Sequence, residues 1–316
     1  MRLFWKLALF LLLFGYAWQT GAVFIPLKFG LSEVDRVILF QLRLPRLLSA
    51  IFVGGGLAVA GAVMQALFRN PLADPFLTGM SAGVAVGALG AILYLDAAIH
   101  ASLFGLCGVV TGLLTTALIY YLFTLKKYAP SYHLLLIGIA INSFCSGLIG
   151  LFLFYSNTIQ LRNFTFWSLG SLCSVDWTTT TWVMLLCGLP CVLLLSMSHE
   201  LDAILLGDGE ALSLGIDIRK QQIRVLLLSS LIVGSAVSFC GVIGFVGILV
   251  PHAVRLLSGA THKTLLPLSW LYGALLLLSA DTLIRQLHVF GEMPIGIITA
   301  FLGAPVFLII SSTQRN

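Results

Sequence analysis

The sequence predicts an all-α, polytopic membrane protein with ten transmembrane helices, the eighth of them short. Three observations carry this prediction. The 316 residues are 59% hydrophobic and only 9% charged, whereas soluble domains carry roughly 25% charged residues. Mean hydropathy is +1.05, too apolar to be hidden from water in one core, so lipid is the solvent. Charge-poor runs also recur near 7–27, 47–68, 75–95, 101–125, 132–155, 178–197, 225–254, 264–284 and 293–311. At ~20 apolar residues per span these hold about ten helices and leave no room for a soluble domain of ordinary size. Residues 1–316 are therefore expected to form a single transmembrane domain, with 198–224 as a loop within it.

The first run follows Arg2 and Lys6 and so resembles a signal peptide. It continues to about residue 27 with no small-x-small site behind it, and an uncleaved first span is the expected outcome. The second and third runs are rich in glycine. Gly54, Gly55, Gly56 and Gly61 mark the second, and Gly79, Gly83 and Gly87 follow at four-residue intervals. Such spacing lets helix backbones approach closely in lipid. Between these runs, Pro71 and Pro75 in the 69–75 turn end one helix and start the next, with Asp74 near the new N-terminus.

Residues 156–177 carry Arg162, Trp167, Asp176 and Trp177 and read as an outer interfacial segment with an aromatic belt. Residues 198–224 are the longest hydrophilic stretch. Within it Asp208 suits an N-cap and Gly215 a C-cap for a short helix over 209–214, and Asp217 a cap for the helix after it. Leu205, Leu206, Leu212, Leu214 and Ile216 alternate with polar neighbours there. A short amphipathic helix of this kind lies on the membrane surface or docks into another protein, and composition leaves both open.

The 225–254 run contains no charged residue. As one helix of about 30 residues it would reach about 45 Å, longer than the ~30 Å hydrocarbon core. Gly241, Gly244 and Gly247 predict a break into one full and one short helix. Basic residues support that division. With ten spans, six of the 17 Lys and Arg residues (Lys28, Arg36, Arg43, Arg46, Arg162 and Arg285) fall outside and the other eleven inside, together with both termini. An unbroken helix would leave nine against eight, which fits the positive-inside rule less well.

The same residues exclude several kinds of chemistry. A net charge of +5 without any Lys/Arg cluster encodes orientation and offers nothing to nucleic acid. The six cysteines form no C-x-x-C pair, five lie in apolar runs, and all read as structural, with no disulfide and no metal site. Each of the twelve acidic residues lies in a loop or near a helix end, so no deep carboxylate is on hand to couple transport to ions. No G-x-x-x-x-G-K-[ST] cradle for ATP phosphates occurs. The six histidines are dispersed, none in an H-E-x-x-H arrangement, and His252 beside Pro251 reads as a packing residue. No enzyme activity and no cofactor are expected. A membrane path with no engine is a passive channel or a subunit driven by another chain, and the cytoplasmic loop with its capped helix favours the second.

Four stretches then carry a resemblance. They are R-L-P-R at 43–46 with G-A-V-M-Q-A-L-F-R-N-P-L-A-D-P at 61–75, W-S-L-G-S-L at 167–172, L-G-D-G-E-A-L-S-L-G at 206–215, and G-F-V-G-I-L-V-P-H-A-V-R-L at 244–256. Asp281, Arg285 and residues 294–307 continue the pattern. Together they resemble the FecCD-type permeases, the membrane subunits of ABC importers for iron–siderophores, haem and vitamin B12. Asp208 stands where that family usually has Glu, and Leu212 where a basic residue is common.

The resemblance implies two permease copies as a homodimer in lipid, two cytoplasmic ABC ATPase subunits beneath them, and a periplasmic or surface substrate-binding protein above. It also implies a bacterial inner membrane, cytoplasmic termini and an iron chelate (siderophore or haem) as cargo, with cobalamin the alternative and a stand-alone channel the remaining one. Residues 132–155 and 293–311 are the implied lining of the pathway. Arg43, Arg46 and Arg285 are implied to dock the binding protein; spacing alone would instead have them anchor helix ends, with Asp281 pairing to Arg285 as an i,i+4 contact. Leu206, Gly207, Asp208, Glu210, Ala211, Leu214 and Gly215 are implied to meet the ATPase.

Overall fold

A computed structural model describes residues 2–21, 23–26, 31–94, 101–125, 132–287 and 293–313. Lys28, Asp96, His100, Lys126, Lys127, His288, Glu292 and Arg315, which entered the charge and chemistry readings, lie outside the described residues. Among the described residues all regular structure is helical. The order is α1 (Arg2–Gln19), α2 (Glu33–Arg36), a π-helical turn (Val37–Arg43), α3 (Leu44–Leu67), a 3-10 turn (Pro75–Thr78), α4 (Met80–Tyr94), α5 (Ala101–Thr124) and α6 (Tyr132–Phe154). The chain continues through α7 (Thr158–Ser168), α8 (Trp177–Ser196), α9 (Ser198–Leu206), α10 (Asp208–Ser213), α11 (Ile218–Cys240), α12 (Val246–Ser258), α13 (His262–Gln286) and α14 (Ile295–Thr313).

Among the described residues six helices are long and apolar enough to cross a membrane, and α1, α4, α12 and α14 contribute four shorter apolar helices. The polytopic, all-α architecture therefore stands. One difference from the sequence reading is the start of the second span. Hydropathy placed it near residue 47, but the helical path begins at Glu33 and runs 35 residues to Leu67. Glu33, Asp35, Arg36, Arg43 and Arg46 mask the helix from a hydropathy count. A capping box starts it, with the Asp35 amide donating to Ser32 Oγ at 3.1 Å and the Ser32 amide to Asp35 Oδ2 at 3.3 Å.

α3 is the axis of the molecule, packed by α8, α11, α12 and α13. The glycines explain how. A Cβ on Gly54 would collide with the Gly273 carbonyl of α13, and one on Gly61 with the Gly247 backbone of α12. Backbone-to-backbone contact of this closeness is how helices associate where lipid removes the hydrophobic drive. In the same way Gly83 and Gly87 of α4 lie against Thr115 and Thr111 of α5.

The predicted break is present. α11 ends at Cys240, Gly241 turns the chain at φ +71°, and helix resumes at Val246 after Phe245, itself at φ +67°. α12 has 13 residues, so it covers only about 20 Å of a ~30 Å core. The non-helical link 241–245 is held by neighbouring backbone. Ser171 N–H donates to Cys240 O at 2.8 Å, and Ile295 N–H to Gly170 O at 2.8 Å, bringing the start of α14 against the same seam.

Candidate functional site

Two polar assemblies lie at opposite ends of α3, which spans about 36 Å at 1.5 Å per residue over its 24 residues.

At the N-terminal end of α3 the structure brings Arg46 and Arg285 onto Asp281, with Arg43 close to Arg285. Arg43 is 6% exposed and donates to the carbonyls of Trp18 (2.8 Å), Gln19 (2.9 Å) and Val23. Arg285 donates to the carbonyls of Thr20 (2.9 Å) and Ala17 (3.0 Å). These are the final carbonyls of α1 and the chain just beyond it, which lack intrahelical partners and sit at the negative end of the helix dipole. Asp281 is fully buried; its Oδ1 accepts from Arg46 Nε at 2.6 Å and its Oδ2 stands 3.0 Å from Arg285 Nε. The i,i+4 pair is therefore formed, and Arg46 joins it from 235 positions away. The cluster binds α1, α3 and α13 to one another.

At the other end lies the 198–224 loop. The short helix is present as α10, with one correction: Asp208 does not cap it. Gly207 (φ +132°) holds the cap position, Asp208 is the first helical residue, and its carboxylate takes the guanidinium of Arg69 instead. Asp208 already has helical geometry and so stands one residue past the cap position, and the fold brings Arg69 to its carboxylate. Gly215 does end the helix, at φ +77°, with Gly215 N–H donating to Leu212 O (2.9 Å) and Ile216 N–H to Ala211 O (3.0 Å). Asp217 caps α11, accepting from Lys220 N–H at 3.2 Å. Ala211 is fully buried and seats α10, while Leu206, Leu212 and Leu214 stand 68%, 62% and 63% exposed. Glu210 is exposed beside them.

Arg69 is the residue that sequence reasoning missed. Besides Asp208 it reaches the Ile204 carbonyl through Nε at 2.8 Å, so the 69–75 turn is attached to the loop. Its partners lie more than 130 positions downstream, and no local pattern announces them. Nearby contacts reinforce the same end. His262, at the start of α13, approaches Asp202 Oδ1 with its amide (3.0 Å) and Nδ1 (2.5 Å). Arg255 donates to Gln65 Oε1 at 2.6 Å, and Lys6 meets Ser258 Oγ at 3.5 Å. Asp74 caps the 3-10 turn, accepting from Phe76 N–H at 3.0 Å, and burial pushes its carboxyl up to about 6.

Two cavities of about 650 Å³ each flank the 241–245 link. One is apolar, walled by Val242, Phe245, Ala300, Phe301 and Pro305; the other holds Arg162, Asn163, Trp167, Cys173 and Phe239. Among the described residues no group of three or more His, Cys, Asp or Glu side chains could hold a metal ion.

Comparison with known proteins decides what this arrangement belongs to. The model of the FecCD transport family matches residues 3–313. The chain belongs to the FecCD transport family. It is 43% identical over 284 residues to a hemin transport system permease protein, HmuU, from Yersinia pestis, covering 88% of this chain and 84% of that one. It is 38% identical over 301 residues to a cobalamin import system permease protein, BtuC, from Halobacterium salinarum, covering 93% and 79%. A solved structure described as an inward-facing metal-chelate type ABC transporter matches with a TM-score of 0.91 at 33% identity, over 99% of both chains. In this FecCD chain the motif stretches divide between the two assemblies. R-L-P-R, Asp281 and Arg285 form the first, R-N-P-L-A-D-P and L-G-D-G-E-A the second, and G-F-V-G starts α12 between them.

Proposed function

We propose that this chain is the permease subunit of an ABC importer that carries an iron chelate, siderophore or haem, across the bacterial inner membrane, driven by a separate ATPase. The observation that carries the reading is the two-ended organisation of α3. An exposed leucine face on a firmly terminated α10 marks one end and a cluster of arginines the other. In this reading α10 and its flanks (Leu206, Gly207, Asp208, Glu210, Ala211, Leu214 and Gly215) seat in the ATPase, on the cytoplasmic side with both termini. Two copies form the pathway across ten spans each, and two ATPase subunits lie beneath them. A binding protein docks its carboxylates on Arg43, Arg46 and Arg285. Arg46, with 16% of its side chain exposed against 8% for Arg285, meets the partner first.

The identity to a hemin permease supports haem or a related chelate; the identity to a cobalamin permease supports cobalamin as the second reading. Proteoliposomes holding the permease with its ATPase, given the binding protein loaded with haem or with cobalamin, test both. Uptake that requires ATP and the binding protein is expected, with haem preferred. Equal solute flux through the permease alone, without ATP, overturns the proposal. Docking is tested by Arg46→Gln, which removes the charge: weaker, less salt-sensitive binding of the binding protein is expected, measured well below the lowered melting temperature that losing one cationic partner of buried Asp281 brings.

A further inference from the structure

We propose that Arg69 is the positioning residue that holds α10 at a fixed angle to the membrane helices, so that the 69–75 turn belongs to the coupling device. The inference rests on the reading of α10 as the ATPase-facing helix. Its starting point is the joint between α9 and α10. Gly207 links them at φ +132° and ψ 161°, with no side-chain cap on α10. A glycine joint of this kind has little stiffness of its own. Arg69 spans it: Nε donates to Ile204 O on one side of Gly207 while a terminal nitrogen holds the Asp208 carboxylate on the other. One planar guanidinium thus fixes two helices at once, which a lysine ammonium, a point charge on a flexible stem, cannot do with the same geometry.

The root of the brace is equally telling. α3 ends in the same pattern as α10, with Arg69 N–H donating to Ala66 O (3.1 Å) and Asn70 N–H to Gln65 O (3.1 Å). That pattern needs a left-handed residue, and glycine is the usual choice. α10 uses Gly215; α3 uses Arg69 at φ +48°. A side-chain-bearing residue is strained there, so the turn alone gives no reason for arginine. Stability gives none either, because Arg69 and Asp208 are 40% and 62% exposed and surface ion pairs contribute little. What the pair supplies is direction. It joins the ATPase-facing segment to α3, the helix on which α8, α11, α12 and α13 pack.

Arg69→Gly separates the roles, because it suits the turn better than arginine and removes only the brace. In the reconstituted permease–ATPase complex we expect it to keep or raise the melting temperature. It should lower solute transported per ATP hydrolysed by roughly 10-fold, the size of a typical coupling between sites. Arg69→Lys should fall between, and Arg69→Asp with Asp208→Arg should recover part of the loss seen with Arg69→Asp alone. An unchanged transport-to-hydrolysis ratio in Arg69→Gly overturns the inference. A Ser213→Cys permease should cross-link to a cysteine on the facing ATPase surface. If it does and the ratio in Arg69→Gly still holds, only the role of Arg69 falls; if no cross-link forms, the assignment of α10 falls and takes this inference with it.

Discussion

Asp281 is a carboxylate with no exposure, flanked by the guanidinium groups of Arg46 and Arg285. Removing one partner of a buried pair leaves the other charge uncompensated, at a cost of about 3–5 kcal/mol. Asp281→Asn should therefore lower the unfolding temperature of the detergent-solubilised protein sharply and loosen α1, where Arg285 also holds the carbonyls of Ala17 and Thr20; limited proteolysis after residue 19 reports that second effect. Asp74 gives a milder, pH-dependent case. Its folded pKa of about 6 lies above the ~3.9 of an unfolded carboxyl, so the folded state binds the proton more tightly. Its favourable contribution is complete below about pH 4 and is lost as pH rises through about 6. Asp74→Asn should raise thermal stability at pH 7.5 and leave it unchanged near pH 4, and equal gains at both values would contradict the assignment. The i,i+4 spacing of Asp281 and Arg285 was legible in the sequence. The arrival of Arg46, or of Arg69 at Asp208, was not, because a long-range pair leaves no periodicity to read.

The helices themselves were largely legible, for a physical reason: lipid forces each span to close its own backbone hydrogen bonds, so length and charge content nearly define it. The division of 225–254 followed from length against bilayer thickness together with Gly241, Gly244 and Gly247. Where charges interrupt a helix the rule weakens, and the stretch from Glu33 to the π-turn was missed for that reason. Asp208 was misjudged because capping residues are recognised by type, whereas the actual bond depends on which cation the fold brings near. Glycine spacing, by contrast, marked helices that pack closely, though not which partners they meet. Gly61→Ala places a methyl against the backbone of α12 and should destabilise by about 1–3 kcal/mol through overpacking. The reading is a lower unfolding temperature with retained membrane insertion, and no shift would argue against the α3–α12 contact.

For the molecule as a whole, the two assemblies predict opposite exposure. Single cysteines at Ser32, beside the arginine end, and at Ser213, in α10, should be labelled from opposite faces of oriented membrane vesicles by an impermeant reagent. Labelling of both from one face would contradict the arrangement. α6 is apolar along its length yet only 17% of its spanning window is buried within the chain, so most of its surface awaits lipid or a second protein. The link at 241–245 constrains where such neighbours sit. Acyl chains can neither donate nor accept a hydrogen bond, so irregular backbone at this depth is tolerated only beside protein or water. The flank bearing Val242, Gly244 and Phe245 is thus barred to hydrocarbon, and the circumference that fatty acids can wet is an incomplete ring with its gap at that seam.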